Sequence, residues 1–304
     1  MTFKIENIKD QSGRIAIVTG ANIGLGFETT RALAKKGAKV IMACRNLQKA
    51  EAAKAAIVER VKNADLEIIQ LDLSKLSSVR TFAEAFKRKY SQLDLLINNA
   101  GVMIPPYTKT EDDFELQMGV NYFAHFLLTN LLFPLLDKTS DSRIVTLSSI
   151  AHKKGKIDFE NLHAEKSYSK IEAYQQSKLA CLMFTIELQR RLEKAGSKVI
   201  SVAAHPGVSN TNLGQHIPKW VMVLAMPFFS FMIHKPEKAA QPSLMAALDE
   251  SVTGGDYFGP TGYREMKGKP DKVKPEPHAF DEEVAEKLWE VSEELTGKSF
   301  TLKD

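Results

Sequence analysis

The stretch "RIAIVTGANIGLG", Arg14–Gly26, decides the fold. Its first half, Arg14 to Thr19, is a short continuous apolar run. Strands buried on both faces read this way, and such strands belong to parallel sheets. Its second half places Gly20, Gly24 and Gly26 in a turn before a helical pattern that runs to about Lys36. A strand, a glycine turn and a helix in that order make a phosphate cradle. The glycines let the backbone approach a pyrophosphate, and the helix N-terminus offers N–H groups and positive dipole. The spacing is G-x-x-x-G-x-G, not the commoner G-x-G-x-x-G. A tight turn without a ligand is the plain alternative.

Outward from this stretch the strand–helix alternation continues. "AKVIMAC", "LEIIQLD", "LDLLIN", "SRIVTLS" and "KVISVAAH" are predicted as the second to sixth strands. Between them, "NLQKAEAAKAAIVERV" is helical, and "SKLSSVRTFAEAFKRKY" is a helix with Ser74 as its expected N-cap. A long helix is expected over about 111–136, bent or broken near Pro134. The Lys- and Pro-rich stretch 266–277 reads as an exposed loop, and "DEEVAEKLWEVSEELTG" as an amphipathic closing helix at about 281–295. Repeated strand–helix units with continuous apolar strands mean a parallel sheet covered on both faces. The expectation is an α/β fold: one doubly wound domain over 1–304, its mostly parallel sheet flanked by helices, with no repeat and no linker.

Composition narrows the class. The 304 residues are 44% hydrophobic and 26% charged, ordinary for a chain with a real core. The net charge of +4 comes from interleaved acids and bases, so there is no nucleic-acid stripe. Cys44 and Cys181 sit in apolar segments, away from metal-ligand spacing, and read as buried reduced thiols. The N-terminal "MTFKIENIKDQSGR" carries no apolar signal core, and a cytoplasmic location is expected. "WVMVLAMPFFSFMI", Trp220 to Ile233, is too short to span a bilayer and holds Pro227 at its centre. We read it as part of a lid over about 212–235. Peripheral membrane contact through 220–233 is the alternative.

"AYQQSKLACLMF", Ala173 to Phe184, sets Tyr174 and Lys178 four residues apart on a helical pattern. That spacing puts both on one helix face. Taken alone it carries little weight, because Tyr-x-x-x-Lys arises often by chance. It stands, however, with "TGANIGLG", with "NNAG" at Asn98 to Gly101, with "SSIAH" before the tyrosine and with "HPGVSNT" at His205 to Thr211. In that order these motifs resemble the short-chain dehydrogenase/reductase family over about Arg14 to Thr211. "ACRN", "HFLLTNLL", "SKLA" and "AEKLWEVSEEL" resemble its retinol dehydrogenase and WW-domain oxidoreductase branch.

The resemblance implies reversible hydride transfer between a nicotinamide and a carbonyl or alcohol carbon. It makes Tyr174 the general acid/base. Lys178 favours the phenolate, as a cation beside a phenol does, and holds the nicotinamide ribose. Ser149, the second serine of its pair, would hold the substrate oxygen. Asn121, in "MGVNYFAHF", would hold a water linking Lys178 to solvent. The interval from Ser149 to Tyr174 is long, and its extra loop is expected to shape the pocket. His152 lies close enough to Ser149 in sequence to line that pocket.

The implied cofactor contacts are Gly20, Asn22, Ile23, Gly24, Leu25 and Gly26 in the turn, then Arg45, Asp72 and Leu73. They continue with Asn99, Ala100 and Gly101, with Tyr174 and Lys178, and with Pro206, Gly207, Val208 and Thr211. Family members that use NAD place an acid at the end of the second strand. Here Cys44 stands there, followed by Arg45. A guanidinium binds a 2′-phosphate that a carboxylate would repel, so NADP(H) is expected, unless Arg45 is only a solvated charge. No metal role is expected for the scattered histidines. The expected substrate is a small lipophilic carbonyl or alcohol, an aldehyde, ketone or retinoid-like molecule. An NAD-dependent alcohol dehydrogenase and a redox-sensing scaffold that binds NADP are the competing readings. An extended-family epimerase fits neither the glycine spacing nor the chain length. A homodimer and a homotetramer both stay open.

Overall fold

Ala16, Ile17 and Val18 are fully buried in β1 (Ile15–Thr19), because this strand lies inside the sheet with parallel neighbours on both sides. The computed structural model describes residues 3–208 and 234–302. β1 pairs with β2 (Lys39–Cys44) and β4 (Leu95–Asn98), and β2 pairs with β3 (Leu66–Gln70). β5 (Arg143–Leu147) and β6 (Ile200–Ala204) extend the sheet beyond β4. β7 (Tyr257–Pro260) is also parallel, and β8 (Pro270–Lys272) closes the edge antiparallel. The eight strands run in the order β3-β2-β1-β4-β5-β6-β7-β8. The order reverses between β1 and β4. In sheets of this kind the crevice at that switch point, beyond the carboxyl ends of the strands, is where ligands bind. The expected α/β architecture, a single Rossmann-like domain with a mostly parallel sheet, is the one observed.

Helices cover both faces. α1 (Gly24–Lys35), α2 (Leu47–Arg60) and α6 (Gln241–Leu248) pack Leu33, Ala50, Ile57 and Leu244 into one core. α3 (Leu76–Lys89), α4 (Leu116–Lys138), α5 (Lys170–Lys194) and α7 (Glu282–Thr296) build the other around Phe82, Phe86, Phe126, Leu182 and Trp289. α4 is long and apolar enough to cross a membrane, but 83% of its most apolar window is buried against protein, as in a core helix.

Four details differ from the sequence reading. Ser74 does not cap α3. Its hydroxyl donates to Asp72 Oδ1, and the N–H of Leu76 is capped from outside by Asp112 Oδ2 at 2.8 Å. α4 starts at Leu116, not near Glu111, because Asp113 adopts a left-handed φ of 63° and Glu115 supplies the cap, accepting from Met118 N–H at 2.8 Å. Its irregular turn lies at Gly119–Phe123, a π-helical segment, and the helix runs past Pro134 to Lys138. The stretch 266–277 is not all loop, since it contains β8. Trp220–Ile233, with nearly all of the expected lid, lies outside the described residues, as does Thr211.

Candidate active site

The carboxyl ends of β1 and β4 are bolted together by one buried hydroxyl. Thr19 Oγ1 accepts from the N–H of Asn99 and of Ala100, both at 2.9 Å, while Asn99 Nδ2 donates to Thr19 O at 2.7 Å. Gly20 turns the chain with a φ of 66°, a conformation side chains resist, and its N–H donates to Ala43 O at 2.8 Å. At Gly26 a Cβ would collide with Gly20 O and come within 2.6 Å of Asn99 Nδ2, so α1 packs this close only as glycine.

Above this floor opens a cleft of about 420 Å³. It brings together Gly20, Asn22, Ile23, Gly24, Leu25, Gly26, Arg45, Asp72, Leu73, Asn99, Ala100 and Gly101, as the sequence led us to expect. Asp72 shares the wall with Ser74, whose N–H and hydroxyl both donate to its Oδ1. Lys49, on the first turn of α2, also lines the cleft and was not anticipated. Arg45 and Lys49 are both exposed, and no ion pair among the described residues engages either side chain. The Cys44 thiol is buried beside them and pushed up to about 11 by that burial. A glycine cradle at a helix start, with unpaired cations at one end, fits a phosphorylated dinucleotide.

The four residues expected to do chemistry are not in the wall of this cleft, and two of them adjoin it. Gly101 marks the junction: a Cβ there would sit 3.1 Å from Asn121 Oδ1 and 3.5 Å from Lys178 Nζ. Lys178 is buried, donates to Leu147 O at 2.9 Å, and has its Nζ 5.9 Å from the ring centre of half-buried Tyr174. Ser148 is committed elsewhere, its hydroxyl donating to Lys178 O at 2.7 Å. Ser149 Oγ accepts from Ala151 N–H at 3.1 Å and keeps its own hydrogen to give. The extra loop before Tyr174 is tied down at two points, Tyr168 donating to Pro105 O at 2.7 Å and Gln176 Oε1, on α5, accepting from Asp158 N–H at 2.8 Å.

Asn121 sits in the π turn of α4 with its amide fully engaged. Oδ1 accepts from Val102 N–H at 2.8 Å, and Nδ2 donates to Val102 O and to Ser177 Oγ. The sequence reading missed the group behind it. His125, one turn further along α4, has Nδ1 3.0 Å from Asn121 O and Nε2 2.9 Å from Thr19 Oγ1. A carbonyl only accepts, so Nδ1 carries the hydrogen and Nε2 accepts from the threonine hydroxyl. Burial pushes His125 down to about 4 and keeps it neutral. A continuous chain of hydrogen bonds thus joins the cradle floor to Asn121. The i to i+4 spacing of Asn121 and His125 was the available signal.

Behind Ser149 lies a second buried group. His152 does not line the cleft. It is fully buried, with Nδ1 donating to Ser149 O at 2.7 Å and its ring edge against Tyr257. Pro206, Gly207 and Val208 are likewise not in the cleft wall. They form the turn after β6, where Gly207 has a φ of 71° and Val208 N–H donates to Met266 O at 2.8 Å. The partner loop between β7 and β8 holds Arg264 and Glu265 at φ values of 49° and 57°. Non-glycine residues there cost about 1–3 kcal/mol each, and persist where surrounding contacts hold them. The Glu265 carboxyl is held down to about 2 by His205, and next by Lys153.

Comparison with known proteins gives a consistent result. The family model for short chain dehydrogenase matches residues 14–222. Retinol dehydrogenase 14 of Mus musculus is 43% identical over 301 residues, covering 94% of this chain and 86% of that one. Retinol dehydrogenase 12 of Homo sapiens is 42% identical over 287 residues, covering 94% and 87%. Among solved structures, an uncharacterized protein from Mycobacterium paratuberculosis superposes with a TM-score of 0.83 at 41% identity, over 99% of this chain and 100% of that one. The NADPH-bound structure of a short chain oxidoreductase from Pseudomonas aeruginosa PAO1 shares the fold, with a TM-score of 0.65 at 21% identity over 82% and 95%.

Proposed function

We propose, given that this chain belongs to the short-chain dehydrogenase family, that it is an NADP(H)-dependent oxidoreductase acting on the carbonyl or alcohol carbon of a small lipophilic substrate. The observation that carries the reading is the placement of Tyr174 and Lys178 side by side, with Ser149 holding a hydrogen to give, just past the glycine cradle. The nicotinamide, when bound, supplies or takes up the hydride.

In the direction of reduction, the Tyr174 hydroxyl gives its proton to the carbonyl oxygen, and in oxidation the phenolate takes that proton back from the alcohol. Ser149 Oγ donates a hydrogen bond to the same oxygen and stabilises the charge that develops on it. Lys178 has one hydrogen on Leu147 O and others to spare for ribose hydroxyls. Its charge favours the phenolate form of its neighbour. Asn121 is a positioning residue: it clamps the wall at Val102 to α5 at Ser177, close to Lys178, where a water joining Lys178 to solvent would be held. Arg45, with Lys49 beside it, supports NADP(H) over NAD(H), since both cations are unpaired and a 2′-phosphate would pair them. The relatives named retinol dehydrogenases favour a retinoid-like alcohol or aldehyde.

The test is a screen of apolar aldehydes and ketones against oxidation of NADPH and of NADH. Turnover with NADPH that disappears in Ser149→Ala is expected. Turnover with NADH alone would replace the cofactor assignment with the NAD-dependent alternative, and no turnover beside tight NADPH binding would favour the redox scaffold. A cytoplasmic location goes with this reading. If wild-type protein floats with liposomes and Phe228→Ser/Phe229→Ser does not, residues 220–233 are a membrane contact rather than a lid.

A further inference from the structure

The catalytic serine's turn and the turn after β6 come from separate strands, yet one carboxylate touches both. Ser149 caps the short helix Ile150–Lys154 through its Oγ, and Lys153 lies in that helix. Lys153 Nζ is 2.8 Å from Glu265 Oε1. On the other side, His205 Nδ1 accepts from Gly207 N–H at 3.2 Å, so its hydrogen is on Nε2, which lies 3.2 Å from Glu265 Oε2. His205 is fully buried, and Glu265 is held in a left-handed backbone conformation that side chains avoid. The rest of the loop supports the same tie. Met266 O accepts from Val208 N–H, and a Cβ on Gly207 would collide with it. Of the residues in this tie, Glu265 and Met266 lie beyond the family-model match at 14–222.

We infer that Glu265 is a positioning residue that ties the Ser149 turn to the Pro206–Val208 turn through Lys153 and His205, and so sets the width of the pocket in which the substrate oxygen meets Ser149. This rests on the reading of Ser149 given above. The carboxylate faces Lys153 and His205 and is not part of the cleft wall. It acts through the two turns, and the cradle end of the cleft is independent of it.

The experiment compares Glu265→Ala, Lys153→Met and the double variant. In Glu265→Ala, kcat is expected to fall about tenfold or more, since displacement of a reacting group by about 1 Å costs up to about 10²-fold. KM for NADPH and its fluorescence-detected Kd should stay within about threefold, and the isotope effect with 4-deuterated NADPH should rise. Lys153→Met should move the same readouts in the same direction, with the double variant no worse than Glu265→Ala. Without any cofactor, ¹⁵N NMR should show His205 as the Nε2–H tautomer in the wild type and a mixture in Glu265→Ala. A kcat within about twofold of wild type in either single variant, or effects that multiply in the double variant, would overturn the inference. If Glu265→Ala does not fold, Lys153→Met alone decides. If Ser149→Ala is fully active, the reading of the serine falls, and the inference with it. If Ser149→Ala is inactive and the Glu265 variants are normal, the inference alone fails.

Discussion

Arg45 and Lys49 line the cleft, exposed and without an ion pair among the described residues, so their charge is available to an anion. A charge-assisted hydrogen bond contributes about 1.5–3 kcal/mol. Arg45→Asp is therefore expected to weaken NADPH binding by about tenfold or more while NADH is little affected. Titration of both cofactors by fluorescence checks this, and equal losses would show that Arg45 does not meet the 2′-phosphate. Tyr174→Phe removes the donated proton and nothing else of the ring. Turnover should drop by about 10²-fold or more with NADPH still bound, and retention within about tenfold would show that another group moves the proton. That Tyr174 and Lys178 stand together was legible from their spacing on one helix face, and the roles expected of them and of Arg45, which follows a strand end, came from the family resemblance of the motifs around them. Glu265 was not, because its partners Lys153 and His205 lie on distant segments and no spacing joins them.

α7 is an element whose stability role can be separated from chemistry. Trp289 is 2% exposed, with ring centres 5.2 Å from Phe126 and 5.1 Å from Phe300, and the Arg191 guanidinium 4.4 Å above its ring. Trp289→Ala should cost about 3–5 kcal/mol and lower Tm, with KM unchanged at a temperature where the protein is folded. A Tm equal to wild type would mean that α7 is not part of the cooperative unit. The cap of α3 offers a finer check: Asp112→Ala should destabilise by about 1 kcal/mol in urea unfolding. The central strands and this helix were readable from continuous apolar runs and from helical periodicity. "YFGP" and "PDK" were not read as β7 and β8, since short edge strands with Pro and Gly carry no such pattern. The start of α4 was misplaced because Glu111 to Glu115 have helical composition but are held in turns by a side-chain cap and a left-handed Asp113.

For the molecule as a whole, acid sensitivity follows from buried neutral imidazoles. His125 and His152 are pushed down by burial from 6.5 to about 4. Between those values the unfolded chain binds protons that the folded chain refuses, so stability falls as pH drops from about 6.5, by roughly 3 kcal/mol at most for each histidine. Glu265, held at about 2 against an ordinary 4.5, adds its loss only below about 4.5. Tm should therefore decline steadily from pH 7 to pH 5, and a flat profile there would mean that the two rings are not buried neutral. The order of strands also acts in time. Every strand of the cofactor half, β3-β2-β1-β4, is present once Asn98 has been made, while Tyr257, Glu265 and Glu276 approach the serine turn from much later in the chain. Ribosomes add about 5–20 residues per second, so ~10 s or more of synthesis separate the two. A nascent chain thus completes the strands beneath the glycine turn well before it makes the residues that brace the serine turn from the far edge of the sheet.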